Sequence, residues 1–187
     1  MTLSELVAGL GAGRQRVTIG AVVAGVEAVL VWRIGWSVAL AAFVYLGALG
    51  VIVSIIDLRT HRLPNRLVLP SYPVVVALLA LAAGMEGRWW PLGRATLAMV
   101  LVAGFYLVLG LAFPHGLGLG DVKLAGLAAL GLGWLGWPVL TTGVLAGWCL
   151  AALVLLARHA TRPARRGCPI ALGPWLCLGA SVAIGVR

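Results

Sequence analysis

The chain has 187 residues, of which 62% are hydrophobic and only 10% are charged. Soluble domains carry roughly 25% charged residues, so this composition excludes an ordinary soluble domain and an intrinsically disordered chain. The 14 basic residues outnumber the 5 acidic ones and give a net charge of +9. They stand at the ends of apolar runs, a pattern that is typical of membrane topology and argues against nucleic-acid binding.

The apolar runs, taken in chain order, predict an all-α, polytopic transmembrane bundle of six to seven helices, because one crossing needs about 20 apolar residues. The first run is short and carries Glu27. Closely spaced glycines within the runs, such as Gly47 and Gly50 or Gly143 and Gly147, would let helices approach closely in lipid; the alternative is that glycine is simply common in membrane helices. The predicted crossings are residues 17–31, 36–56, 67–83, 95–113, 124–137, 139–157 and 170–186.

The basic residues also predict the orientation of the chain. With the N-terminus on the cytoplasmic side, ten of them lie on the inner side and four on the outer side, as the positive-inside rule expects. The richest inner loops are residues 57–66 and 158–169. Residues 1–13 have no basic region and no cleavage site followed by a soluble domain, so we expect no cleaved signal peptide.

Asp57 and Asp121 are the only aspartates of the chain, and each lies at the edge of an apolar run. Two predicted crossings separate them, so both face the same side of the membrane. Two neighbouring carboxylates in a low dielectric do not both ionise readily, and they share one proton. One can then accept a proton from water while the other protonates a carbonyl oxygen, without metal or cofactor. The alternative is structural, since Arg59 and Lys123 are near enough in sequence to pair with them.

Residues that tend to interrupt a helix follow the first aspartate, Asp57, and precede the second, Asp121. The Pro64-Asn65 pair predicts a turn after the first aspartate. Glycines at 116, 118 and 120 predict a non-helical segment before the second, which leaves backbone N–H groups close to its carboxylate. Lys123 is placed to keep a neighbouring carboxylate charged. The three cysteines lack the spacing of zinc ligands, so no metal site is predicted.

Together these motifs resemble the type IV prepilin peptidases, a bacterial family of polytopic aspartic peptidases. The resemblance covers residues 44–187 and rests on three motifs. They are Asp57, Thr60, Pro64, Asn65 and Leu67; the unbroken run Gly118, Leu119, Gly120, Asp121, Val122, Lys123 and Leu124; and residues 170–176 with Gly173 and Pro174.

The resemblance implies that Asp57 and Asp121 form the catalytic pair of a prepilin leader peptidase. Its substrate is then a prepilin or pseudopilin precursor with a short basic leader ahead of an apolar helix, cut at the cytoplasmic face of the bacterial inner membrane. The residues expected to support the site or bind substrate are Thr60, Pro64, Asn65, Gly118, Gly120, Lys123, Gly173 and Pro174.

The expected partners are the precursor and membrane lipid, with no nucleic acid and no cofactor. Residues 1–187 are expected to form a single peptidase domain without a methyltransferase domain, because only 56 residues precede Asp57 and they contain no pair of cysteines. Two other functions remain open. One is a small transporter that binds a proton or cation at the same carboxylates beside a broken helix, and the other is a catalytically inactive scaffold of a pilus assembly machine.

Overall fold

The computed structural model describes residues 13–60, 63–112, 118–161 and 172–187, and within these ranges it contains seven α-helices and no β-strand. In lipid, a helix satisfies its own backbone N–H and C=O groups, which favours this architecture. The predicted all-α bundle is confirmed. The helices are α1 (Gly13–Ile34), α2 (Leu40–Thr60), α3 (Asn65–Glu86), α4 (Trp90–Ala112), α5 (Leu119–Leu135), α6 (Trp137–Thr161) and α7 (Gly173–Val186).

Four of the described helices are long and apolar enough to cross a membrane, namely α2, α3, α4 and the part Trp137–Ala157 of α6. The apolar α7 is shorter, with 14 residues. Six to seven crossings were expected, and four of the described helices have the length and hydropathy that a crossing needs. The outward face of α4 carries exposed Val100, Leu101, Phe105 and Val108, a surface that suits lipid and not water. The protein is a multi-pass membrane protein.

Helix α5 lies at the centre of the bundle and contacts α2, α3, α4, α6 and α7. Most of its residues are buried, from Asp121 to Trp134. It runs antiparallel to α4, since Gly126 lies against Ala103 and Gly133 lies against Ala98. A Cβ atom at either glycine would collide with the facing alanine, so these positions let the two helices pack closely.

The prediction of a non-helical glycine segment is wrong for Gly120, because α5 begins at Leu119 and includes it. Packing against Leu63 explains why this helical position is a glycine. The side chain of Leu63, just before α3, occupies the space in which a Cβ atom of Gly120 would stand, 2.7 Å from the Leu63 Cβ. Gly120 therefore serves a close contact and does not interrupt the helix. Positions 116 and 117 lie outside the described residues.

Helices α6 and α7 approach through glycines, as predicted for Gly143 and Gly147. Gly179 of α7 lies directly against the backbone of both residues, and Gly147 lies against the backbone of Trp175 and Leu176. Because no side chain separates the two helices at these positions, α7 is held against α6 along its length.

Candidate active site

Asp57 lies in the last turn of α2, and its side chain is only 4% exposed. Its Oδ2 accepts a hydrogen bond of 3.1 Å from the backbone N–H of Gly173, the first residue of α7. The first N–H groups of a helix have no partner within the helix and carry its positive dipole end. The N-terminus of α7 therefore stabilises negative charge on Asp57. Pro174, at the next position, is buried and lacks an N–H of its own.

Gly173 cannot carry a side chain in this arrangement. A Cβ atom on it would lie 2.8 Å from Asp57 Oδ2 and 3.3 Å from Leu124 Cδ2. The absence of a Cβ atom is what allows the backbone of α7 to approach the carboxylate. The sequence singled out Gly173 and Pro174 by resemblance alone, and the hydrogen bond from Gly173 to Asp57 spans 116 positions of the chain.

Asp121 lies in the first turn of α5 and is 9% exposed. Its Oδ2 accepts a 3.3 Å hydrogen bond from the N–H of Gly118, the extended residue that precedes the helix. This is the reciprocal half of a capping box. Asp121 is outside the four helices that are long enough to span a membrane. Burial and the negative charge of Asp57 raise the pKa of Asp121 to about 6, although the bond from Gly118 lowers it.

The structure brings Asp57 and Asp121 together at one end of the bundle. Leu124 is one helical turn beyond Asp121, and its side chain and that of Asp57 meet at Gly173. The charge of Asp57 also acts on Asp121. Helices α2, α5 and α7 therefore contribute one carboxylate, a second carboxylate and a backbone donor to a single buried site.

The two sequence motifs are also linked by hydrogen bonds on the exposed side of this site. The Lys123 ammonium donates to Asn65 Oδ1 at 2.9 Å, and the Tyr72 hydroxyl donates to the backbone oxygen of Lys123 at 2.6 Å. Lys123 was expected to act on a carboxylate, and the described structure pairs it with an amide instead. Pro64 is extended and begins α3 at Asn65, which confirms the predicted break in the helix.

Thr60 ends α2 and is exposed, and its hydroxyl donates to the backbone oxygen of Ile56 at 2.9 Å. That bond lies within the helix. Among the described residues, no three His, Cys, Asp or Glu side chains form a group able to hold a metal ion.

A partly open apolar cavity of about 390 Å³ lies between α1, α2, α5 and α7. At one end it is bordered by Leu58, Leu124 and Pro174, which are neighbours of the site just described. On α2 its lining extends from Phe43 to Leu58, a length of about 22 Å at the rise of an α-helix. The cavity therefore runs along the membrane-spanning part of the bundle, and one end lies beside residues that neighbour the two aspartates.

Comparison with known proteins places these residues in a family. The model of the type IV leader peptidase family matches residues 44–157, which include both aspartates. Three relatives carry the name prepilin leader peptidase/N-methyltransferase. The protein of Stutzerimonas stutzeri is 30% identical over 155 residues, covering 82% of this chain and 52% of its own. That of Pseudomonas putida is 32% identical, with 83% and 53% covered, and that of Escherichia coli K12 is 32% identical, with 71% and 57% covered.

The chain spans about half the length of the curated relatives it matches. No solved structure matches it. The family model covers more than half of the chain and contains the two buried carboxylates that the fold brings together. This chain belongs to the type IV leader peptidase family.

Proposed function

We propose that this protein is a membrane aspartic endopeptidase that removes the leader peptide from prepilin or pseudopilin precursors. The observation that carries the proposal is the meeting of Asp57 and Asp121, the only aspartates of the chain, in one buried site within the family match. Buried carboxylates near membrane-spanning helices are expensive and are functional candidates for that reason. The names of the relatives support the substrate class.

The mechanism that we propose uses one proton shared between the two carboxylates. The ionised carboxylate accepts a proton from a water molecule, whose oxygen attacks the carbonyl carbon of the scissile peptide. The protonated carboxyl group gives its proton to the carbonyl oxygen. The resulting tetrahedral intermediate collapses, the C–N bond breaks, and a proton passes to the leaving amine. The N–H groups of Gly173 and Gly118 hold the two carboxylates in place during these steps.

The cavity supports a substrate with an apolar helix beside the cleavage site. It is bordered at one end by Leu58, Leu124 and Pro174, is lined almost wholly by apolar side chains, and follows α2 for most of its length. Its volume lies within the range of about 300–1,000 Å³ that is typical of ligand pockets. We propose that one face of the apolar helix of the precursor lies in this cavity, and that the cleaved peptide bond reaches Asp57 and Asp121 at its end.

The basic residues support a cytoplasmic site in the bacterial inner membrane. Ten of fourteen lie on the side that holds both aspartates when the N-terminus is inside. We propose that residues 1–187 act as a single peptidase domain that cleaves the leader.

The test is cleavage by the full chain in proteoliposomes, with a synthetic precursor that carries a basic leader, a junction glycine and an apolar helix. Asp57→Asn and Asp121→Asn are each expected to abolish cleavage while the protein remains folded. The matched control is Glu86→Gln, because Glu86 is exposed at the end of α3; this variant should cleave like the wild type. Cleavage at a near-normal rate by either aspartate variant rules out the proposed mechanism. Proton flux that requires the aspartates, without cleavage, favours a transporter.

A further inference from the structure

Tyr106 of α4 is a completely buried polar residue that the proposed mechanism does not use. It is the largest fully buried side chain of the described residues. It forms one buried cluster with Val122 and Ala125 of α5 and Leu176 of α7. The indole of Trp148 in α6 meets it edge-on, with the ring centroids 5.9 Å apart. Four helices therefore fix the position of this ring.

The hydroxyl group of Tyr106 donates no hydrogen bond to any described residue. The indole N–H of Trp148 acts on the hydroxyl oxygen, but it is a donor and cannot accept the tyrosine proton. The other two tyrosines are satisfied: Tyr45 bonds with Ser71 at 2.9 Å, and Tyr72 donates to Lys123. An unsatisfied buried hydroxyl costs about 1–3 kcal/mol. Phenylalanine would fill the same space without that free-energy cost. A tyrosine at this position is therefore explained if its hydroxyl donates to an acceptor at some stage of the reaction.

Asp121 lies beside the α5 residues that share this buried cluster. It directly precedes Val122 and lies one helical turn before Ala125. Its negative charge is close enough to act on the Tyr106 hydroxyl. The other described neighbours, Leu176 and Trp148, carry no charge and offer no side-chain acceptor.

We propose that Tyr106 is a positioning residue whose hydroxyl donates a hydrogen bond to the Asp121 carboxylate while the peptide is cleaved. Asp121 then has two donors, the Gly118 N–H and the Tyr106 O–H. A donor stabilises the ionised form of a carboxylate. Tyr106 therefore helps to decide how the shared proton is distributed between the two aspartates. This inference rests on the proposed peptidase function and adds a residue to its site.

The test compares Tyr106→Phe with Tyr45→Phe in the full chain, reconstituted in proteoliposomes with the same synthetic precursor. Each change removes a single hydroxyl and keeps the ring. Hydrogen bonds to charged groups contribute about 1.5–3 kcal/mol, so Tyr106→Phe is expected to lower kcat by roughly tenfold or more and leave KM unchanged. The basic limb of its rate–pH profile should move to higher pH, because Asp121, whose raised pKa makes it the holder of the shared proton, has lost a donor to its ionised form.

Stability separates this role from a structural one. Removal of an unsatisfied hydroxyl should leave the unfolding midpoint of Tyr106→Phe unchanged or raised, whereas Tyr45→Phe loses a formed bond and should unfold earlier with normal kcat. A wild-type kcat and rate–pH profile for Tyr106→Phe overturns the inference, as does a loss of kcat that is matched by a loss of stability. If the aspartate variants still cleave, the proposed function itself fails, so the two failures are distinguishable.

Discussion

Substitution of Gly173 by alanine tests whether the N-terminus of α7 holds the first aspartate. The added methyl carbon would stand 2.8 Å from Asp57 Oδ2 and 3.3 Å from Leu124 Cδ2. Non-bonded heavy atoms settle about 3.5–4.0 Å apart, so the carboxylate or the helix end must shift by roughly half an ångström or more. The N–H hydrogen bond to Asp57, now 3.1 Å, is then stretched beyond a useful length.

The expected loss follows from that hydrogen bond. A bond to an ionised group contributes about 1.5–3 kcal/mol, and about 1.4 kcal/mol corresponds to a tenfold change in rate. Gly173→Ala should therefore lower kcat for leader cleavage by roughly 10- to 100-fold. The assay is the rate of leader release from the synthetic precursor in proteoliposomes, with kcat and KM determined separately.

Gly185→Ala is the matched control, because it makes the same change in the same helix. A Cβ atom at Gly185 meets no atom within 4 Å, and alanine is favoured over glycine within a helix by up to about 1 kcal/mol. This variant should cleave normally and be equally or more stable. If Gly173→Ala also cleaves at the wild-type rate, the N–H of this residue has no part in positioning Asp57.

Two further predictions concern the cavity and the far end of α5. Ala128→Leu adds bulk to the wall of the cavity and is expected to raise KM for the precursor with little change in kcat; an unchanged KM would show that the substrate helix lies elsewhere. Arg94 donates to two backbone oxygens at the C-terminal end of α5, at 2.7 and 2.6 Å. Arg94→Met should lower the free energy of unfolding by about 1.5–3 kcal/mol, measured by thermal denaturation in detergent, and normal stability would contradict this capping role.

The sequence was sufficient to predict the helical bundle and the common location of the two aspartates. Apolar runs reveal membrane helices directly, and counting crossings between Asp57 and Asp121 requires no knowledge of packing. The resemblance also pointed to Asn65 and Lys123, although it did not indicate that these two side chains bond to each other. Such a contact joins residues 58 positions apart and depends on how α3 and α5 are placed.

Packing explains what the sequence could not predict. Gly120 was expected to interrupt a helix, yet it lies within α5, where the absence of a side chain leaves room for Leu63. Tyr106 stands in an apolar run, where a tyrosine is usually a packing residue, and its unsatisfied hydroxyl becomes visible only when four helices surround it. In both cases the contacting residue is distant in the chain, so the local sequence pattern does not reveal the contact.

Main-chain N–H groups donate to Asp57 and to Asp121, and only substitution by proline removes such a donor from the chain. Any other mutation can change the acidity of this pair by shifting a helix end, as a methyl group at Gly173 would, or by changing a side chain nearby. Engineering of the pH dependence can therefore also act on the glycine contacts that seat α7 against α6, at a distance from the reacting atoms.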